Sequence, residues 1–324
     1  MNHKDVLKRA WDTTLKYPAL LVFGIIVALT AGGGGGQGFR YTASSEDFAG
    51  PWGFERTHVP PELGVLLVTV GVSLCCLTVV IVIASVVARY VADTALVRLV
   101  NDREETGETR GLRRGFQEGW SRIALRFFGI DLVTGIPAAV VFTVLFLLSG
   151  GPLLLWIVDS TAARVIGTVA AIGLFFLVLL LVILLSAALS VLVDFARRAC
   201  AVEELGVLEA IARGYRVLTA NLKDAALMWL IMVGLGIGWA IVMTFVVALL
   251  LLLGVLVGGL PALVVGAVLS LIGEGAAPWV IGSLVAAPAF IGIVAMPSIV
   301  LGGLAQVFSS SVWTLTYREL VALE

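Results

Sequence analysis

Ionisable side chains are scarce in this sequence. Only 13% of its 324 residues are Asp, Glu, Lys or Arg, whereas a water-facing domain carries about 25%. A shortfall that large excludes an ordinary soluble surface. Hydrophobic residues, at 60%, take the place of the missing charge. Histidine is almost absent, with only His3 and His58, too few and too far apart in the chain for a histidine-rich metal centre. The three cysteines, Cys75, Cys76 and Cys200, lie in or beside apolar runs. They offer neither a disulfide framework nor zinc spacing, and they read as small packing residues. A net charge of −1 gives no basic field, so nucleic acid is not an expected partner.

Catalytic constellations are missing as well. The Gly71–Ser73 stretch GVS sits within an apolar run and has no histidine partner, which argues against a Ser-His-Asp site. The glycine run Gly32–Gly36 lacks the lysine and the strand–helix setting of a phosphate loop. GLGIGW, from Gly234 to Trp239, has no strand before it to make a nucleotide fingerprint, and it reads as helix packing. The expectation is therefore a non-enzyme with no cofactor and no metal.

What the chain does have is length without charge. Leu63–Ala88 runs 26 residues, Val165–Val193 29, Ala225–Gly273 49 and Gly275–Tyr317 43 without an ionisable group. About 20 apolar residues span a bilayer as a helix. Six spans are expected, near Tyr17–Gly34, Leu63–Tyr90, Phe127–Leu148, Arg164–Ala196, Ala225–Leu253 and Trp279–Phe308. The first is read as a retained helix rather than a cleaved signal, because Asp5 and Asp12 interrupt its basic region and no A-x-A site follows. Pro261–Ile272 is left over, apolar but short, and is read as a helix lying at the outer face or dipping back into the bilayer.

Basic residues set the orientation. Of the 21, all but Arg40, Arg56 and Arg164 fall on the side that also holds both termini. Positive loops stay cytoplasmic. The N- and C-termini are accordingly expected inside, with one long outer loop at about residues 35–62. That topology puts His3 and His58 on opposite sides of the membrane.

The first span is preceded by Arg9-Ala10-Trp11, the third by Arg114-Gly115-Phe116 and the fifth by Arg213-Gly214-Tyr215. Leu7, Leu112 and Ile211 stand four residues before the aromatic, a spacing that keeps side chains on one helix face. Each copy reads as a short amphipathic helix at the cytoplasmic interface, its basic residue snorkelling to head groups and its aromatic at that depth. The second, fourth and sixth spans each continue into an arginine-bearing helix: ARYVADTALVRLV, VDFARRACAV and SSSVWTLTYREL. The fold expected is all-α and integral to the membrane. Six transmembrane helices form three parallel-repeat hairpins in a single domain, with repeats at about residues 1–100, 101–200 and 201–324.

The triplets, EELGVLEAIARGYRVLTANLKD (Glu203–Asp224) and WTLTYREL (Trp313–Leu320) together resemble a group of uncharacterised six-span proteins of bacteria and archaea. These are similar to the membrane domain attached to some glycerophosphoryl diester phosphodiesterases. The resemblance covers nearly the whole chain and implies a fold and a prokaryotic plasma membrane. It implies no activity, since the phosphodiesterase chemistry belongs to a soluble barrel for which this chain has no room.

Charges at membrane depth are the default functional pointers. Arg89, Asp93, Asp131 and Asp194 all fall near the cytoplasmic boundary and form a candidate polar cluster, read either as interfacial ion pairs or as the lining of a vestibule. No span has an ionisable residue at its centre, which argues against proton coupling. The expected role is a scaffold, an accessory protein or a handler of lipids or small solutes, with membrane lipids as partners. The alternative is a transporter or channel with a path through the bundle.

Overall fold

The computed structural model describes residues 1–30, 61–107, 111–158, 160–271 and 277–323. The expected outer loop at about 35–62, with His58, falls almost entirely outside the described residues. All regular structure among the described residues is helical.

Three times along the chain a short helix leads directly into an apolar one, which is long in the second and third cases and described only to Thr30 in the first. Helix α1 (His3–Lys16) precedes α2 (Pro18–Thr30) with a bend of 95° at Tyr17. Pro18 opens α2, at the first helical position, where its missing N–H costs no hydrogen bond. Helix α3 follows (Pro61–Thr106). Helix α4 (Leu112–Gly119) precedes α5 (Arg122–Ser149), whose start is capped by the Ser121 hydroxyl accepting from the Ile123 amide. A 3₁₀ turn (Gly151–Ile157) then leads to α6 (Thr161–Val202). Helix α7 (Val207–Ala220) precedes α8 (Leu222–Gly254), which continues into α9 (Leu260–Ser270); α10 (Ala277–Phe290) and α11 (Met296–Val321) complete the chain.

Among the described residues, five helical stretches are long and apolar enough to cross a membrane, Thr69–Thr106, Arg122–Ile157, Thr161–Val202, Leu222–Ser270 and Pro278–Val321, and the bent pair α1–α2 would make a sixth if counted as one span. Their large side chains are mostly exposed, as in Leu180 at 58%, Phe245 at 73% and Ile291 at 60%. Such a surface is stable only against hydrocarbon. The protein is thus an all-α, multi-pass membrane protein. The first expected span is described only as far as Thr30.

One expectation needs correcting. Pro261–Ile272 is not a separate interfacial or re-entrant helix over its described part. It belongs to a 49-residue helical stretch, Leu222–Ser270, about 73 Å long at 1.5 Å per residue. A π-helical turn (Val255–Gly259) joins α8 to α9, and a second (Ile291–Ala295) joins α10 to α11. Each lies just before a proline, Pro261 and Pro297. Proline lacks an N–H, and its ring collides with the carbonyl four residues back. The wider turn relieves that collision, so neither proline breaks its helix.

The chain divides into two compact units. One comprises Met1–Trp11, Val97–Ile231 and Ser310–Glu324; the other comprises Asp12–Leu96 and Met232–Ser309. In the second unit helices meet through small residues. A Cβ added to Gly24 would lie 2.4 Å from the Gly303 carbonyl oxygen, and one added to Gly282 would lie 2.7 Å from that of Ala262. Gly258 packs equally closely on Ala289. Without a hydrophobic drive between helices in lipid, such backbone-to-backbone approach is what holds a hairpin together. The glycines of GLGIGW do not take part: a Cβ at Gly234, Gly236 or Gly238 would meet nothing within 4 Å. Their reading as a packing seam is corrected, and the seam is displaced to Gly254, Gly258 and Gly266, which face α10 and the π turn after it.

Candidate functional site

The polar chemistry of the first unit gathers where the long helices run past their apolar stretches. Its centre is the last part of α11. Ser311, Val312, Trp313, Thr314, Leu315, Thr316 and Tyr317 are consecutive and all buried, so this segment is covered on every side. A helix enclosed in that way has little but its own carbonyls to offer its hydroxyls, and among the described residues those of Ser310 and Ser311 find no partner. Thr314 donates to the Ser310 carbonyl and Thr316 to the Val312 carbonyl, both at 2.8 Å. Phe195 of α6 stands edge-on to Trp313 and Tyr317, with ring centroids 6.0 and 5.9 Å away, a favoured aromatic geometry.

Ion pairs and charged hydrogen bonds surround this segment. The Tyr317 hydroxyl donates to the Glu203 carboxylate at 2.5 Å, and Arg213 Nε reaches both oxygens of the same carboxylate at 3.3 Å. Arg318 donates to the Asn101 side chain at 2.6 Å and to its carbonyl at 3.1 Å, and reaches Glu105 at 3.3 Å. Glu319 accepts from Arg9, which also pairs with Glu104 at 3.4 Å. The corner between α6 and α7 is pinned in turn. Glu204 holds a left-handed backbone, φ 55°, uncommon for a residue with a side chain. Arg126 donates to the Glu204 and Leu205 carbonyls at 2.7 and 3.2 Å, and Arg98 pairs with the Glu204 carboxylate.

Asp131 and Asp194 lie in the first unit, Arg89 and Asp93 in the second on α3, where Arg89 is exposed and Asp93 half-buried. Asp131 and Asp194 are each held by an arginine of α6. Arg197 Nη2 donates to both oxygens of Asp131 at 2.7 and 2.6 Å, with its guanidinium 6.0 Å from the Phe127 ring. Arg198 Nη1 donates to the Asp194 carboxylate at 2.5 Å and to its carbonyl at 2.9 Å. The arginine of each pair is well covered, at 15% and 5% exposure, so the carboxylates serve as counter-ions for buried cations.

The triplets behave alike in one respect. The small middle residue, Ala10, Gly115 or Gly214, is buried each time, while Trp11, Phe116 and Tyr215 are exposed. At Gly214 the reason is visible: an added Cβ would stand 2.7 Å from the Ala196 backbone nitrogen. Arg9 and Arg213 reach carboxylates on other helices or corners, and Arg114 reaches Glu118 one turn away at 3.5 Å. Each triplet arginine thus stands near a carboxylate of the protein itself.

Glu203, Tyr317 and Arg126 were not among the expected site residues. The signal was present, since EELG and TYREL stand in the two quoted motifs. Their meeting through Glu203 and Tyr317 is a tertiary fact. Among the described residues no cluster of three or more His, Cys, Asp or Glu side chains is arranged to hold a metal ion.

Fold and site together define a helical multi-pass membrane protein with a charge-paired layer at one end of its long helices. The chain belongs to a family of unknown function, DUF7544, whose match covers residues 9–316. No curated protein and no solved structure matches it.

Proposed function

We propose that this chain is a non-enzymatic scaffold or accessory protein of a prokaryotic plasma membrane. In this reading six spans form three parallel hairpins, each led by a cytoplasmic interfacial helix, and both termini lie inside. The first span is the one that includes α2. The repeat is supported by the threefold order of a short helix followed by an apolar one, and by burial of the same triplet position in α1, α4 and α7. The likeness to the phosphodiesterase membrane domain adds a fold to this reading and no chemistry.

The observation that carries the scaffold reading is the use made of the charges. Asp131, Asp194, Glu203 and Glu319 are each engaged by an arginine of the protein itself. Three of the four join different elements of the chain, whereas Asp194 and Arg198 pair one turn apart within α6. A transport path would instead need polar groups presented to a passing solute. The test is flux through proteoliposomes loaded with small ions, sugars or amino acids. The scaffold reading expects leakage equal to that of empty vesicles. Solute flux that disappears in Asp131→Asn, while the variant stays folded, would overturn it.

A second reading, transport, has one observation in its favour. The α8–α9 and α10–α11 hairpin carries two π turns: Gly258 of the first packs on Ala289 of α10, and Val294 of the second lies against Gly254 at the end of α8. Such turns are frequent at functional sites. The same flux assay decides between the two readings, with Pro297→Ala expected to change transport if the hairpin moves.

A further inference from the structure

A second set of cations lies beside the triplets. Lys4 and Lys8 on α1, Arg113 on α4, Arg122 at the start of α5, Arg216 on α7 and Lys223 at the start of α8 are all exposed. Among the described residues none of the six makes an ion pair or a hydrogen bond through its side chain. The nearby carboxylates are occupied elsewhere. Asp5 accepts from Asn2 at 2.5 Å, Asp12 pairs with Lys16, and Glu118 pairs with Arg114. Glu209 accepts from the Gly206 amide, and Asp224 faces His3 and the amino terminus.

The helix period places these cations beside exposed apolar groups and away from the buried face. On α1 the buried positions are Val6, Ala10, Thr13 and Thr14, while Lys4, Lys8, Trp11 and Leu15 recur at spacings of four, three and four. On α4, Arg113, Phe116 and Trp120 follow at i, i+3 and i+7, away from the buried Gly115 and Gly119. On α7, Ala210, Gly214 and Val217 are buried, and Leu208, Tyr215 and Arg216 lie on the other side. Leu208 is 71% and Trp120 73% exposed. An aromatic ring, an aliphatic side chain and a cation without a protein counter-ion suit the head-group layer of an anionic leaflet.

We propose that these three faces together bind anionic phospholipid head groups of the cytoplasmic leaflet, and that the six cations, not the triplet arginines, supply the selectivity. This inference rests on the membrane reading above and adds a lipid class to it. Within each short helix it divides the work. Arg9 and Arg213 hold the protein together, and the neighbouring exposed cations hold the lipid.

The test is electron spin resonance of the full chain reconstituted in phosphatidylcholine, with spin-labelled phosphatidylglycerol or phosphatidylcholine as the probe. The motionally restricted lipid should favour phosphatidylglycerol several-fold, and 1 M salt should abolish the preference. Replacing all six cations by glutamine should remove it, and each pair, such as Lys4→Gln with Lys8→Gln, should remove part of it. Arg213→Gln should lower stability and leave lipid selectivity unchanged. Equal association of the two lipids with the wild type would overturn the proposal and leave the faces to an acidic protein partner. Selectivity that survives in the six-residue variant, or that disappears in Arg213→Gln alone while that variant stays folded, would overturn it too. A sample with no restricted lipid at all would instead sink the membrane reading itself.

Discussion

The closest helix contact in the charged layer allows a sharp test through a single methyl group. Gly214 lies on the buried side of α7, against the backbone of α6 at Phe195 and Ala196. A Cβ there would stand 2.7 Å from the Ala196 nitrogen, 3.0 Å from its Cα and 3.1 Å from the Phe195 carbonyl carbon. These are backbone atoms of a helix interior and cannot swing aside. Ordinary contact begins at 3.4 Å, so Gly214→Ala must push α7 and α6 apart by about 0.7 Å. Phe195 and Ala196 are fully buried, and Arg213, the next residue on α7, holds the Glu203 carboxylate that also takes the Tyr317 hydroxyl. Overpacking of this kind costs about 1–3 kcal/mol. The control is Gly234→Ala on α8, where an added Cβ meets nothing within 4 Å. There alanine should gain up to about 1 kcal/mol of helix propensity. The assay is equilibrium unfolding of both variants in mixed micelles with increasing dodecyl sulfate, followed by tryptophan fluorescence. A neutral Gly214→Ala, or a Gly234→Ala that destabilises as much, would refute the packing argument and the explanation of the small triplet residue with it.

Other outcomes follow from the ion pairs and from the topology. Tyr317→Phe removes the donor to Glu203 and should cost about 1 kcal/mol, the carboxylate keeping Arg213. A double-mutant cycle with Arg213→Gln should show that the two losses are coupled, and additive losses would contradict a shared carboxylate. Asp131→Leu leaves Arg197 covered without its counter-ion and should cost about 2 kcal/mol. Adding Arg197→Met should recover most of that loss in the same unfolding assay, and failure to recover would mean that the pair does more than balance charge. Cysteines introduced at Ser44 and at Gln117 should be labelled from opposite sides of sealed cells by an impermeant maleimide, and labelling from one side would overturn the threefold topology.

Much of this architecture is legible in the sequence because lipid allows so few solutions. Hydrocarbon satisfies no backbone group, so a charge-free run of 26 or 29 residues has to be helical wherever it crosses. For the same reason the arginine-rich continuations of α3, α6 and α11 could be read as helices that run on past the membrane. Position in the chain also marked the triplets, since one residue pattern stands before three apolar runs. What those residues do was not legible, because it depends on partners distant in sequence. Arg9 and Glu319 are separated by almost the whole chain, and Glu203 and Tyr317 by more than a hundred residues. Periodicity reports which face of a helix is apolar, and it carries no information on which charge that face will meet. The same limit explains the glycines: composition shows Gly234 and Gly258 as equals, and only packing separates the one in open space from the one against Ala289. The sequence by itself determined a helical membrane protein and the rhythm of its helices, through the solvent it must live in. The tertiary structure alone decided which charges are spent within the protein and which are left facing outward, because an ion pair is a matter of a few ångströms.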